Sequence, residues 1–75
     1  MNIQTLNQID KGFTSEVIDI NDECVNKQRL LDMGFSIGTN VKVIWRGNGI
    51  TAYQVKGTIL ALRYKDAGYI NVLPI

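Results

Sequence analysis

Side chains that commonly carry out chemistry are scarce in this sequence. It contains one cysteine, Cys24, and no histidine. Without histidine the chain lacks the most frequent general acid–base group and the most frequent metal ligand. No serine or cysteine has an imidazole to activate it as a nucleophile. We therefore predict no catalytic residues, no metal ligands and no cofactor-binding residues, and we expect no cofactor.

Cys24 has two alternative interpretations. It lies near the start of a predicted helix, where the helix dipole can activate a thiol. A free cysteine is more often a small buried apolar residue, and this second interpretation is favoured. The adjacent acids Asp22 and Glu23 are better explained by the helix N-terminus than by catalysis. Because a single cysteine cannot form an internal disulfide, the sequence favours a reducing, cytoplasmic compartment.

Two further kinds of site lack the spacing they require. Four carboxylates between residues 16 and 23 do not have the ligand spacing of a calcium loop. Gly34 and Gly38 follow the predicted helix, whereas the glycines of a phosphate-binding loop precede one. We therefore interpret the carboxylates as a solvated surface and the glycines as turn residues.

Aromatic and arginine side chains are the remaining candidates for function, because they are the usual energetic anchors of protein interfaces. Trp45 and Tyr53 flank the sequence Gly47-Asn48-Gly49, and Arg46 follows Trp45. Arg29 interrupts an apolar stretch, so its head group should reach solvent. We predict a partner-binding face formed by Arg29, Trp45, Arg46 and Tyr53, near the helix C-terminus and the central hairpin. The alternative, in which Trp45 closes one end of the core, is about equally supported.

One helix must position part of this face. The segment 21–33 predicts a helix whose N-cap is Asn21 or Asp22. Gly34 then falls at the C′ position, which requires a positive φ that glycine adopts at little cost. Leu30 and Phe35 occupy the two positions that a Schellman motif brings into apolar contact.

About five strands carry the rest of the chain. They are predicted over residues 13–20, 40–46, 51–55, 58–62 and 69–73. Gly38 and Gly57 mark turns, and alternation along 40–46 places Trp45 on the same face as Val41 and Val43. Five short, twisted strands close on themselves more easily than they lie flat. We predict a single domain over residues 1–75, an all-β, SH3-like small barrel with one short α-helix between strands 1 and 2.

Three segments of the sequence resemble the FeoA family across nearly the whole chain. They are LNQIDKGF, KQRLLDMGFSIGTNVKV and VKGTILALRYKDAGYINV. The core of the motif is Arg29-Leu30, Met33-Gly34, Gly38 and the strand Val41-Lys42-Val43. The family commonly has proline where this chain has Ile37, which predicts a slightly looser turn and the same fold.

The resemblance implies a small SH3-like domain of bacterial ferrous iron uptake. It implies a cytosolic accessory protein for the membrane transporter FeoB, which couples a G-protein domain to the passage of ferrous iron. It implies neither an enzyme nor an iron carrier. It leaves open the docking surface, the oligomeric state and the direction of any effect on the transporter.

Two other interpretations remain. SH3-like domains also occur in metal-dependent repressors, but there they are fused to a DNA-binding domain for which 75 residues leave no room. The segment GTNVKVIWRGNGITAYQV superficially resembles the KOW-type strand–loop–strand of nucleic-acid-binding proteins, although a net charge of +1 is low for that function. No apolar run is long enough to span a bilayer, and the N-terminus lacks the features of a signal peptide.

Overall fold

The computed structural model describes residues 2–75, which form one six-stranded antiparallel sheet with short helical segments between the strands. The strands are β1 (Gln4–Thr5), β2 (Thr14–Ile20), β3 (Asn40–Arg46), β4 (Ile50–Val55), β5 (Thr58–Arg63) and β6 (Ile70–Pro74). The helices are α1 (Lys27–Asp32) and α2 (Tyr64–Ala67), and a 3-10 turn spans Leu6–Gln8. The predicted all-β class, with a helix between the first two long strands, is confirmed. Within residues 2–75 no helix has the length and apolar character needed to cross a bilayer.

The sheet has the order β1-β6-β2-β3-β4-β5, so β1 and β5 are its edges. β2 pairs with β3 through its first residues and with β6 along most of its length, and it carries a bulge between Val17 and Asp19. Such bulges increase local twist and bend a strand. The buried side chains come from every long strand, and Leu6 of the 3-10 turn and Leu30 of α1 join the same core.

The helix begins later than the sequence predicts. α1 starts at Lys27 with Asn26 as its N-cap, so the predicted caps at Asn21 and Asp22 are wrong. The Glu23 N–H donates to Asn21 Oδ1 at 2.8 Å, which closes a local turn. Asparagine side chains compete in this way with helical hydrogen bonds. Cys24 therefore lies in a turn before the helix, and its burial confirms the interpretation as a small apolar residue.

The helix ends as predicted. Gly34 has a φ of 113°, the Phe35 N–H donates to Leu30 O at 3.1 Å, and the Gly34 N–H donates to Leu31 O at 3.0 Å. These two bonds define a Schellman motif. Leu30 and Phe35 are both buried, so the predicted apolar contact anchors the helix C-terminus to the core.

The turns that shape the sheet also follow the sequence. Gly38 has a φ of 89°, and the Thr39 N–H donates to Ser36 O at 3.1 Å. Lys56 and Gly57 have φ values of 50° and 79°, which fit the type I′ turn of a two-residue hairpin. The two-residue strand β1 was not predicted, because a strand so short leaves no alternation to detect.

Candidate functional site

A bulge in β3 determines where Trp45 lies. Val43 pairs with Tyr53 while Trp45 pairs with Ala52, so Ile44 is an extra residue in β3. An extra residue reverses the alternation of side chains beyond it. Trp45 therefore leaves the buried face of Val43 and is 53% exposed. The prediction that Trp45 shares the core face of this strand is wrong, and its indole lies on the surface.

The indole of Trp45 is held against the β3–β4 hairpin. A Cβ atom at Gly47 would overlap ring atoms of Trp45, so glycine at this position lets the ring lie on the hairpin backbone. The hairpin is closed by a hydrogen bond from the Gly47 N–H to Ile50 O at 2.7 Å. A tryptophan supported in this way presents a large apolar surface without much loss of side-chain entropy on binding.

Trp45 is part of a larger exposed surface on the outer face of β3, β4 and β5. Trp45 lies opposite Ala52, and Ala52 lies opposite Ala61. Partners directly opposite on antiparallel strands share a face. Ile50 and Ile59 occupy the flanking positions of the same face and are 40% and 62% exposed. We call Trp45, Ile50, Ala52, Ile59 and Ala61 the apolar patch; exposed clusters of this kind mark interaction sites.

The segment of the chain that contains the three strands of the apolar patch is basic. Residues 33–65 contain five basic residues and no acidic ones: Lys42, Arg46, Lys56, Arg63 and Lys65. The rest of the chain contains three basic residues and all seven acidic ones, a balance of 3 − 7 = −4. The overall net charge of +1 is the sum of these two unequal parts.

Arg46 has a structural role. Its guanidinium donates to the backbone carbonyl of Ile9 and, at 3.0 Å, to that of Asn7. Arg46 lies opposite the buried Thr51, on the other side of the sheet from the apolar patch. Arg46 is exposed, and its side chain ties β3 to the segment that contains the 3-10 turn.

Tyr53 belongs to the core. It is 1% exposed, and its ring makes an edge-to-face contact with Phe35 at a centroid distance of 6.3 Å. Burial raises the pKa of the Tyr53 hydroxyl, opposed by a hydrogen bond from Thr51 and by the charge of Arg46. Although Tyr53 flanks the hairpin in sequence, it faces inward and does not contribute to a docking surface.

The predicted face that joins the helix C-terminus to the central hairpin is not formed. The helix ends beside Val55 and Lys56, which a Cβ atom at Gly34 would approach at 3.2 and 3.8 Å. The hairpin lies at the opposite end of the six-residue strand β4, which spans about 20 Å. Arg29 is exposed on α1, and within the described part of the chain its side chain forms no hydrogen bond or ion pair with the hairpin. Of the four predicted docking residues, only Trp45 lies in the apolar patch.

Sequence reasoning missed the other members of the apolar patch. A signal for two of them exists in the alternation of β5, where Ile59 and Ala61 face outward while Leu60 and Leu62 face the core. Nothing in the sequence alone distinguishes the outward set from the inward set. In residues 2–75, His, Cys, Asp and Glu side chains form no group of three or more that could hold a metal ion.

Comparisons with known proteins match the fold and the sequence. A family model described as the FeoA domain matches residues 4–74. The NMR structure of a FeoA-like protein from Clostridium acetobutylicum superposes with a TM-score of 0.92 at 25% identity, covering 100% of this chain and 90% of that one. The crystal structure of a zinc complex of FeoA from Stenotrophomonas maltophilia, an SH3 domain protein, gives a TM-score of 0.82 at 26% identity over 93% and 89% of the two chains.

The same fold occurs within a larger protein. A manganese-dependent transcriptional repressor in complex with manganese gives a TM-score of 0.90 at 21% identity, covering 100% of this chain but 38% of that one. This similarity concerns the fold. No curated protein gives a significant match. Because the family model extends over nearly all of the sequence, the chain belongs to the FeoA family of SH3-like ferrous iron transport accessory domains.

Proposed function

We propose that this protein is a cytoplasmic accessory protein of bacterial ferrous iron uptake that binds the cytosolic part of a FeoB-like membrane transporter. The observation that carries the proposal is the apolar patch, with its exposed Trp45, on a member of a transport accessory family. Tryptophan is among the residues most enriched at the energetic centres of interfaces. In this proposal the protein acts by binding to the transporter, and neither catalysis nor iron carriage is part of its role.

The G-protein domain of the transporter is the docking target that we propose, because its conformation changes with the bound nucleotide. An accessory protein that binds one nucleotide state more tightly would shift the transporter toward that state. By the reciprocity of linked equilibria, the nucleotide would change the affinity for the accessory protein by the same factor. Binding measured in different nucleotide states therefore reports any such coupling.

A nucleic-acid-binding module is the second candidate, and the absence of acidic residues from 33–65 favours it. Three of the five basic side chains in that segment already have partners, however. Arg46 donates to backbone carbonyls, Lys56 Nζ donates to Ser36 Oγ at 3.4 Å, and Arg63 Nε lies 3.6 Å from Asp66 Oδ2. RNA binding with a steep dependence on salt would support this alternative, since phosphate contacts release counterions.

The proposal is tested by titration calorimetry of the purified protein with the cytosolic part of the transporter. The titration is run without nucleotide, with GDP and with a non-hydrolysable GTP analogue. We expect saturable binding in at least one state. An absence of binding in all three states, with both proteins folded, would refute the proposal.

A further inference from the structure

The backbone of β5 is open along one edge. In residues 2–75, β5 is the last strand of the sheet, and β4 is the one strand with which it pairs. The Tyr64 N–H donates to Gly49 O at 2.9 Å, and this bond shows which residues of β5 direct their backbone groups toward β4. Hydrogen-bonded and non-hydrogen-bonded residue pairs alternate along two antiparallel strands. The backbone groups of Thr58, Leu60 and Leu62 therefore bond to β4. The backbone N–H and C=O groups of Ile59, Ala61 and Arg63 therefore point toward the free edge.

This edge lacks the features that usually protect one. Natural edges are blunted by short strands, prolines, bulges or charged residues. The other edge of this sheet, β1, follows that rule with two residues. β5 has six residues, TILALR, with no proline and no charge before Arg63, and its pairing with β4 is regular throughout. Ile59 and Ala61 place their side chains in the apolar patch, directly beside the free edge.

Charge identifies the kind of segment that would pair with this edge. The segment 33–65, which includes β3, β4 and β5, has five basic residues and no acidic ones. A second copy of the chain paired at this edge would bring two of these basic segments together, and like charges across an interface are unfavourable. A partner strand with carboxylates would meet complementary charge at Lys56, in the turn before β5, and at Arg63, the last residue of β5, whose side chain is 73% exposed beside Asp66.

We propose that an acidic, extended segment of the partner adds to the sheet as a strand alongside β5. Main-chain hydrogen bonds to Ile59, Ala61 and Arg63 would supply affinity, and Ile59 and Ala61, the patch residues beside the free edge, would contact its apolar side chains. Strand addition to an exposed edge is an established mode of peptide recognition. The inference rests on the proposed function, since the partner is the cytosolic part of the transporter.

The direct test is amide hydrogen exchange of the 15N-labelled protein, alone and with the cytosolic part of the transporter. In the free protein the amides of Ile59, Ala61 and Arg63 should exchange rapidly, while those of Leu60 and Leu62 are already protected. Binding should slow the first set by about tenfold or more, because hydrogen-bonded strand amides exchange only through opening. Binding that leaves these amides unprotected would overturn the strand-addition inference while leaving the proposed function intact.

Two other outcomes of this experiment are informative. If no complex forms at all, the proposed function fails and the inference fails with it. If the three amides are protected in the free protein and the protection increases with concentration, a second copy occupies the edge. That result would also overturn the inference.

A pair of variants provides an independent measurement. Ala61→Pro removes the outward-facing N–H without removing a hydrogen bond to β4, and proline is tolerated at such edge positions. Ala61→Ser changes the same side chain and keeps the N–H. We expect Ala61→Pro to bind the transporter fragment about fivefold to tenfold more weakly, and Ala61→Ser to bind like the wild type. Equal affinity of the two variants, both folded by melting temperature, would contradict the inference.

Discussion

Trp45 and Arg46 are neighbours in sequence with different roles in the structure. The extra residue Ile44 turns the Trp45 indole to the outer face of the sheet, where it is 53% exposed. It also directs Arg46 to the other side, where the guanidinium bonds to the carbonyls of Asn7 and Ile9. The candidate docking residue and the structural residue are therefore separated by one peptide bond.

The role of Arg46 predicts the outcome of a charge reversal. Arg46→Glu removes two charge-assisted hydrogen bonds to backbone carbonyls and should destabilise the fold by about 1–3 kcal/mol. Arg29→Glu is the matched control, because it reverses an exposed charge and should change stability by less than about 0.5 kcal/mol. Melting temperatures compare the two variants. Equal melting temperatures of the two variants would show that the hydrogen bonds made by Arg46 contribute little to stability.

Tyr53 predicts a change in stability at alkaline pH. Its pKa is raised in the folded protein, chiefly by burial. The neutral phenol is therefore favoured in the folded state, and this contribution is fully present below the unfolded pKa of about 10. It is lost as the pH rises from about 10 through the raised folded pKa.

The measurement that isolates this effect is urea unfolding as a function of pH for the wild type and for Tyr53→Phe. The stability of the wild type should fall more steeply above pH 10 than that of the variant, since phenylalanine cannot ionise. Parallel curves for the two proteins would show that Tyr53 does not contribute to alkaline unfolding.

At the scale of the element, the sequence predicts those features that depend on a few neighbouring residues. The helix C-terminus follows from Gly34 with Leu30 and Phe35, which together define the motif within six residues of chain. The helix start was placed wrongly because Asn21 closes a turn with its own side chain instead of capping the helix. Asparagine at this position is compatible both with a helix N-cap and with a turn closed by its side chain, so the sequence does not distinguish the two.

The bulge in β3 is an element that the sequence did not predict. Residues 40–46 alternate without a glycine or proline to mark an irregularity. The bulge results from the pairing of β3 with β4, where Val43 and Trp45 fall opposite Tyr53 and Ala52. Pairing of this kind depends on the whole sheet, and for this reason the side on which Trp45 lies could not be inferred.

The helix C-terminus gives a prediction at this scale. Gly34→Ala introduces a Cβ atom at positive φ and also 3.2 Å from Val55 Cγ1, so we expect a loss of about 2 kcal/mol. Gly38→Ala has the same unfavourable φ with nothing within 4 Å, and it should cost about 1 kcal/mol. Urea unfolding of both variants provides the comparison. A smaller loss for Gly34→Ala than for Gly38→Ala would contradict this explanation of the helix end.

At the scale of the molecule, the overall composition does not show how charge is distributed along the chain. A net charge of +1 gave no indication of a charged surface. The acid-free segment 33–65 contains the three adjacent strands β3, β4 and β5, and the acidic residues lie in the rest of the chain. The family could be predicted from local motifs, whereas the candidate site depends on strand register and could not.

The residue inventory of the whole molecule predicts its behaviour toward iron. With one cysteine and no histidine, the isolated protein should have no tight ferrous iron site. Anaerobic titration calorimetry with ferrous iron is the measurement. A stoichiometric site of micromolar affinity would contradict the prediction, while a site shared with the partner would appear only in the complex.

The central claim is that the apolar patch is the surface that binds the transporter. Trp45→Ala removes the indole, the largest exposed side chain of the patch, and Phe13→Ala is the matched control, because Phe13 is an aromatic residue that is 62% exposed outside the patch. The measurement is the affinity of both variants for the cytosolic part of the transporter, with melting temperatures to verify folding. We predict that Trp45→Ala weakens binding by about 2 kcal/mol or more and that Phe13→Ala binds like the wild type. Wild-type affinity of a folded Trp45→Ala variant would contradict the claim.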